Sequence, residues 1–342
     1  MKSADIPHMK TVLWHGLLTV PRAPTEGLLV LARRGRPSVK PSETVGIPCH
    51  NWYEILRILA SPVSVIATGN HHIDRKQKET TMLLENKTAV IYGAGGGIGG
   101  AVARAFAREG AKVFLTGRQR EPVEAVAKEV NSAGGSAEAA EVDALDEQAV
   151  DKHLQSVIEQ AGRVDISFNA VGIPDAKILG LPLVELDVEQ FSLPIAAYTR
   201  SYFLTARLAA RRMIPNKSGV IMTVTALPSR TGTRLNGGYG PAQAAKEALT
   251  RDLSAELALQ GIRVVGLRPH GMPETSTMKE VFDAKASGMT WEQFQKYLAS
   301  TTHPRRVMTL EEVANLAVFM ASDKASGMTG TIVNLTMGSL DD

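Results

Sequence analysis

A short apolar stretch, Thr88-Ala89-Val90-Ile91-Tyr92, runs directly into a glycine string, Gly93-Ala94-Gly95-Gly96-Gly97-Ile98-Gly99. The first stretch is typical of a buried strand, and the alanine-rich segment from Ala101 to Arg108, closed by Gly110, predicts a helix. Glycines between a strand and a helix allow a tight turn, and the amino end of the helix offers free N–H groups to a phosphate. The region therefore predicts a dinucleotide-binding turn.

The chain beyond this turn continues to alternate between strands and helices. Further strands are predicted near residues 112–115, 137–142, 164–169, 219–224, 263–267 and 331–335, and helices near 121–133, 146–161, 188–213, 239–259 and 310–320. Strands that alternate with helices of crossover length indicate a parallel sheet covered on both faces. We expect one α/β domain over residues 82–342, a Rossmann-type doubly wound parallel sheet of about seven strands with its ligand site at the carboxyl ends of the strands.

Composition excludes several classes of protein. The 342 residues are 44% hydrophobic and 21% charged, which is typical of a globular protein and not of a disordered or fibrous one. The single cysteine, Cys49, excludes an intrachain disulfide and a cysteine-based zinc cluster, and we expect no metal site. No apolar run reaches the roughly 18 residues of a membrane span, so we expect no membrane partner and a cytoplasmic protein.

The first 81 residues differ from the rest. They hold 11 Lys/Arg against 6 Asp/Glu and 7 of the 17 prolines, and no helix or strand period persists in them. The basic character of the chain therefore belongs to this segment, and it does not indicate a nucleic-acid partner. We expect residues 1–81 to be an irregular extension that is disordered or not part of the native fold, and we favour a translation start at Met82, because regular structure is predicted to begin within a few residues of it. An arginine-rich organelle presequence is the alternative.

Several motifs resemble the short-chain dehydrogenase/reductase family. The Gly-x-x-x-Gly-x-Gly spacing, Asn169-Ala170-Val171-Gly172 after the fourth strand, Asp143 after the third, and the run from Thr309 to Gly330 are similar to the family's signatures. The resemblance implies a nicotinamide cofactor, a small-molecule substrate, and a homodimer or homotetramer formed through the helices that begin at Val188 and Tyr239. It implies cofactor contacts from Gly93, Gly97, Ile98, Gly99, Arg118, Asp143, Asn169, Gly172, Tyr239, Gln243 and Pro269.

The end of the second strand indicates which cofactor is bound. NAD-dependent proteins of this type carry a carboxylate there that binds the ribose hydroxyls. This chain has Gly117, followed by Arg118, whose guanidinium can pair with a 2′-phosphate. The pattern favours NADP over NAD.

The family's catalytic tetrad is mostly replaced. By resemblance, its tyrosine, the general acid/base, corresponds to Tyr239, and the lysine four residues later corresponds to Gln243. The serine that holds the substrate oxygen corresponds to Ala226, and the asparagine of the long helix to Tyr198. A free tyrosine has a pKa near 10, and a neighbouring cation favours its phenolate. Losing that cation and one hydroxyl donor therefore puts ordinary catalysis in doubt.

Some nearby residues are candidate replacements. Lys246 lies three residues beyond Gln243 on nearly the same helix face, but it also fits a surface or helix-interface lysine. Thr225 and Ser229 flank the vacant serine position, Tyr198 carries a hydroxyl, and His270 follows a strand end. The segment of residues 272–308, which by resemblance forms the substrate lid, holds Phe294 and Tyr297 at helical spacing, for either an apolar pocket or simple packing.

Two functions remain open from the sequence. One is an oxidoreductase that transfers hydride between NADP(H) and a small carbonyl or alcohol substrate with a non-standard acid/base set. The other is a catalytically silent protein of the same fold that binds a nucleotide or a protein partner.

Overall fold

The computed structural model describes residues 82–174 and 178–341. The predicted extension, residues 1–81, lies outside the described residues. The strands are β1 Thr88–Tyr92, β2 Lys112–Gly117, β3 Ser136–Glu141, β4 Ile166–Asn169, β5 Gly219–Val224, β6 Ile262–Pro269 and β7 Thr331–Leu335. The helices are α1 Gly97–Arg108, α2 Arg120–Ser132, α3 Glu147–Ala161, α4 Val188–Met213, α5 Tyr239–Leu257, α6 Ser276–Lys285, α7 Trp291–Ser300 and α8 Leu310–Ala321.

The seven strands form one parallel sheet in the order β3-β2-β1-β4-β5-β6-β7. This confirms the predicted doubly wound sheet of about seven strands. The strand order reverses between β1 and β4, and a crevice opens at the carboxyl ends of the strands where such a reversal occurs. The glycine string follows β1, so the predicted nucleotide turn lies at this crevice.

The core lies on both faces of the sheet. β1 is buried along its whole length because helices cover it on each side. One apolar cluster packs α1, α2 and α8 against one face, and a second packs α3, α4 and α5 against the other. Alternate residues of β1 divide between the clusters, with Ala89 and Ile91 on the first face and Val90 and Tyr92 on the second.

Element boundaries differ from prediction mainly at the helix starts. We expected the first helix from Ala101, whereas α1 begins at Gly97, inside the glycine string. Tertiary packing allows this, since Gly99 and Gly100 are buried beneath the turn and a larger residue would not fit there. The fourth strand begins at Ile166 and not at Val164. Asp146 is the N-cap of α3, where its carboxylate accepts the N–H groups of Gln148 and Ala149.

In the part of the chain that the structure describes, no helix combines the length and the apolar character that crossing a membrane requires.

Candidate active site

A cavity with a volume of about 1740 Å³ follows the carboxyl ends of the strands. This volume exceeds the roughly 300–1,000 Å³ of ordinary small-molecule pockets. Its wall runs from the glycine string, past the loops after β2, β3 and β4, to Tyr239 and the lid, residues 272–308. The cavity therefore has room for a dinucleotide together with a second small molecule.

The glycine string makes a turn that only glycine permits at two positions. Gly93 has φ +80°, and the N–H groups of Gly93 and Ala94 both donate to the Thr116 carbonyl at 2.9 Å. A Cβ at Gly99 would lie 2.3 Å from the Gly93 carbonyl oxygen. The turn therefore brings the amino end of α1 against its own loop, and Gly93, Gly97, Ile98 and Gly99, the predicted cofactor contacts, all line the cavity.

The end of β2 leaves no room for the carboxylate of an NAD-type site. A Cβ at Gly117 would lie 2.8 Å from Cγ2 of Val123. Arg118 is exposed and lines the cavity beside Gly117. A guanidinium, and not a carboxylate, therefore directly follows β2 in this part of the cavity wall.

Asp143 and Gly172 line the next part of the wall, whereas Asn169 does not border the cavity and precedes Ala170, which does. Asp143 and Gly172 border the cavity directly, and Asp143 Oδ1 accepts the N–H of Leu145 at 2.9 Å. Asn169 is buried at the end of β4 and donates to Thr205 Oγ1 at 3.1 Å. In the described part of the chain, Asn169 Oδ1 has no hydrogen-bond partner. Pro269, the last residue of β6, also borders the cavity.

Tyr239 lies at the first position of α5 and faces the cavity with Tyr198 of α4. Their rings pack edge to face, with centroids 5.6 Å apart. The Tyr198 hydroxyl accepts the N–H of Ile173 at 3.4 Å. Two phenols from different helices therefore meet beside Ala226, which also lines the cavity.

Gln243 is 2% exposed and also lines the cavity. Within residues 82–174 and 178–341, its Oε1 has no hydrogen-bond partner. A buried acceptor without a donor is costly, so this atom fits a ligand hydroxyl. Asn169 Oδ1 is a second buried acceptor of this kind, but only Gln243 borders the cavity.

Lys246 is neither a surface lysine nor an ordinary interface lysine. It is 1% exposed, and its Nζ donates to the Val224 carbonyl at 2.6 Å, at the end of β5. The Nζ also lies 5.6 Å from the centre of the Tyr198 ring and 5.9 Å from that of Tyr202. Burial lowers the pKa of Lys246 to about 7. A titratable amine therefore borders the cavity beneath Tyr198.

Thr225 and Ser229, the other candidate hydroxyls, both donate to Glu247 Oε1. Glu247 also forms a two-pronged, buried ion pair with Arg268 of β6, with N–O distances of 2.8 and 2.9 Å. Burial opposes ionisation of Glu247, but the hydrogen bonds from Arg268, Ser229 and Thr225 outweigh it and hold its pKa below the ordinary value. These two hydroxyls therefore fix the loop after β5 and are not available to a substrate.

Replacing Glu247 by glutamine is expected to lower the free energy of unfolding by about 3–5 kcal/mol, because the Arg268 guanidinium loses the buried carboxylate that accepts two of its hydrogen bonds. Denaturant unfolding measures the loss. Glu292→Gln is the matched control, since the Lys296–Glu292 pair is 73% and 75% exposed and is worth at most about 1 kcal/mol. Equal losses in the two variants would contradict the role given to the Glu247–Arg268 pair.

His270 connects the end of β6 to the lid. Its Nε2 lies 3.0 Å from Thr301 Oγ1, and the Thr301 hydroxyl donates to the Leu298 carbonyl. Nε2 is therefore the donor to Thr301, and Nδ1 lies 3.4 Å from the Gly271 carbonyl oxygen. Burial lowers the pKa of His270. The ring borders the cavity, but its hydrogen bond to Thr301 indicates that its main role is to support the lid.

The lid consists of α6, α7 and the loops around them. Phe282, Trp291 and Phe294 form an aromatic cluster with ring centroids 5.2–5.8 Å apart. Phe294 and Tyr297 both border the cavity, so α7 provides packing and an apolar wall at once. Met278, Val281 and Leu298 extend that wall.

Sequence reasoning missed Glu247, Arg268, Asn236 and Lys285 as members of the site. Arg268 pairs with a residue 21 positions away, and Lys285 donates to the side-chain oxygen of Asn236 across 49 positions. No local pattern signals such pairs, because each partner lies on a different element.

Comparison with known proteins agrees with this geometry. Residues 93–339 match the family model described as Enoyl-(Acyl carrier protein) reductase. The 7alpha-hydroxysteroid dehydrogenase of Escherichia coli (strain K12) is 30% identical over 259 residues, which cover 76% of this chain and 96% of that protein.

Two solved structures share the fold. A 7alpha-hydroxysteroid dehydrogenase complexed with NADH and 7-oxo glycochenodeoxycholic acid is 28% identical, with a TM-score of 0.68 over 77% of this chain and 97% of that one. A protein of Beutenbergia cavernae, described as an NAD(P)-dependent gluconate 5-dehydrogenase with bound NADP, is 29% identical, with a TM-score of 0.67 over 76% and 98% of the two chains.

Proposed function

Because the chain belongs to the short-chain dehydrogenase/reductase family of oxidoreductases, we propose that it transfers hydride between NADP(H) and a small carbonyl or alcohol substrate. The observation that carries this proposal is that the glycine turn and the paired phenols of Tyr198 and Tyr239 border one continuous cavity. Oxidation of NADPH in the presence of a panel of ketones and aldehydes, followed by absorbance, tests it. Cofactor binding without turnover of any member would contradict it.

The residues of the wall fit NADP(H). The glycine turn would hold the pyrophosphate at the amino end of α1, and Asp143 would lie at the adenine end. Gln243 and Asn169 each offer a buried acceptor without a partner among the described residues, which suits ribose hydroxyls. When bound, the cofactor supplies the hydride; positioning it is the task of these residues.

Arg118→Ala is expected to weaken NADPH binding at least tenfold, because the variant loses the guanidinium that pairs with the 2′-phosphate. NADH binding should not change, since NADH lacks that phosphate. Calorimetric titration of both cofactors measures the difference. Arg120→Ala is the matched control, because Arg120 is exposed nearby and pairs with Glu124 on its own helix. Equal losses for NADPH and NADH would contradict the assignment of NADP.

Tyr239 is the proton donor in this proposal. In reduction, its hydroxyl gives a proton to the carbonyl oxygen as hydride reaches the carbon. Ala226 provides no second donor, and the hydroxyls of Thr225 and Ser229 are bonded to Glu247. Tyr198, edge-on to Tyr239 in the same wall, is therefore the second phenol that can orient the substrate oxygen.

Lys246 supplies the charge that Gln243 lacks. Its Nζ lies against the Tyr198 ring, which in turn packs on Tyr239. A positive charge near a phenol favours the phenolate and so makes the phenol a better acid. With a pKa of about 7, Lys246 carries that charge below neutral pH and loses it above.

The rate of carbonyl reduction is therefore expected to fall as the pH rises through about 7, the pKa of Lys246. Lys246→Met should be slower than the natural protein at acidic pH and should show no such fall, whereas Lys246→Arg should hold its rate into the alkaline range. Turnover measured against pH tests this. Lys296→Met, which removes an exposed ammonium that pairs with Glu292 and does not border the cavity, should keep the natural profile. If the rate of Lys246→Met falls over the same pH range, the fall is caused by the titration of another group.

We also propose that the protein is a cytoplasmic homodimer or homotetramer joined through α4 and α5. The exposed apolar residues of α4 support this, since Phe203 is 42% accessible and Leu193 and Val188 are exposed on the same helix.

A further inference from the structure

The lid end of the cavity holds polar groups that the acid/base chemistry does not use. Lys285, the last residue of α6, donates through its ammonium group to Asn236 Oδ1. Both residues border the cavity, and so does Arg234. Glu280 borders the cavity as well. The described part of the wall beside the apolar lid therefore holds two cationic side chains and one carboxylate.

Among the described residues, only one of the two polar atoms of the Asn236 side-chain amide has a hydrogen-bond partner. The residue is 8% exposed, and its oxygen is bonded to Lys285. Within the described ranges of the chain, its Nδ2 has no hydrogen-bond acceptor. A buried donor without an acceptor is unfavourable, so an acceptor oxygen supplied by a ligand would stabilise this arrangement.

The backbone around Asn236 is strained and firmly held. Leu235 has φ +56°, a left-handed conformation that is rare for a bulky residue. Its carbonyl accepts the N–H of Gly180 at 3.0 Å. Strain of this kind collects at functional sites, where the surroundings enforce it. Here it fixes the position of the Asn236 amide.

This polar group lies next to the proposed proton donor. The Asn236 carbonyl accepts the N–H of Tyr239 at 3.0 Å, so the two residues share one turn at the start of α5. The first and fourth residues of such a turn have Cα atoms less than about 7 Å apart. An acceptor bound at Asn236 and a carbonyl bound at Tyr239 would therefore lie within a few bonds of each other on one substrate.

We propose that Lys285 and Asn236 form a carboxylate subsite, and that the substrates are apolar oxo acids whose carboxylate lies within a few bonds of the reacting carbonyl. This inference rests on the proposed function and names its substrate class. The ammonium group of Lys285 and the Asn236 amide donate to the carboxylate. The apolar chain lies against Met278, Val281, Phe294 and Leu298 of the lid.

The test uses hexanoate and hexan-1-ol as probes of the NADPH-loaded protein, with affinity taken from the rise in melting temperature against probe concentration. Hexanoate is expected to bind at least tenfold more tightly than hexan-1-ol. Lys285→Met and Lys285→Gln should each remove that preference, and Asn236→Asp should reverse it by adding a negative charge. Lys279→Met is the matched control, because Lys279 is on the same helix but stacks over Phe282 and Trp291; it should keep the preference.

Equal binding of the two probes to the natural protein, or a preference that survives both Lys285 variants, would overturn the subsite. Failure of the proposed function is distinguishable from this. If hexanoate binds in a Lys285-dependent way but no carbonyl compound oxidises NADPH, the subsite stands and the hydride-transfer proposal fails. If esters of oxo acids are reduced as well as the free acids, hydride transfer stands and the subsite fails.

Discussion

Tyr239→Phe is expected to lower the turnover of any reduced carbonyl compound by about 10²–10⁴-fold, the usual loss when a positioned general acid is removed. The phenylalanine ring keeps the edge-to-face packing against Tyr198. The melting temperature and the NADPH affinity should therefore stay close to those of the natural protein. Steady-state turnover, together with a melting curve and a cofactor titration, separates loss of chemistry from loss of structure.

Tyr202→Phe is the matched control for this experiment. Tyr202 is a fully buried phenol on α4 that bonds to Thr250 and does not border the cavity. Removing its hydroxyl should cost about 1 kcal/mol of stability and leave turnover unchanged. If Tyr239→Phe keeps the natural rate while Tyr198→Phe loses it, the proton donor is Tyr198 and the assignment made here is wrong.

The second large expected effect is an increase in the rate of carbonyl reduction. Ala226→Ser combined with Gln243→Lys is expected to raise carbonyl reduction by more than the sum of the two single changes, since both groups serve one transition state. The serine adds a donor to the substrate oxygen, and the lysine adds a cation nearer the Tyr239 phenol.

The closeness of positions 243 and 246 calls for a third substitution in this experiment. Gln243 and Lys246 are both buried and lie three residues apart on one helix, where side chains are about 5–6 Å from each other. A lysine at position 243 would therefore repel Lys246, so Lys246→Met belongs in the same chain. The triple variant should exceed the natural rate by at least tenfold, and the double variant should gain less. A triple variant that binds NADPH and reduces carbonyl compounds no faster would show that the non-standard acid/base set is already as effective.

The fold was predictable because its signals are local. The strand from Thr88 to Tyr92, the glycine string behind it and the regular alternation of later segments each depend on neighbours in sequence. They lead directly to the seven-stranded sheet and to a ligand crevice after β1. The start of α1 was placed too late, because glycine lowers helix propensity and only tertiary packing carries the helix back to Gly97.

The site was predictable at its nucleotide end and much less so at its catalytic end. The glycine turn, Arg118 and Asp143 are found along one cavity because each directly follows a strand. The pKa of Lys246 depends on the tyrosine ring and the carbonyl group around its Nζ. These groups belong to α4 and β5, so the sequence of its own helix does not reveal them. Thr225 and Ser229 were reasonable candidate donors from sequence. Their bonds to Glu247 depend on how α5 packs against the loop after β5.

The central claim is that this cavity joins a bound nicotinamide to a carbonyl compound for hydride transfer. The most direct measurement uses NADPH carrying deuterium at the reactive carbon of the nicotinamide, a panel of apolar oxo acids as substrates, and mass spectrometry of the products. The natural protein is expected to form hydroxy acids that carry one deuterium, and Tyr239→Phe is expected to form almost no such product. Products without deuterium, or no product from a protein that binds both NADPH and the oxo acid, would contradict it.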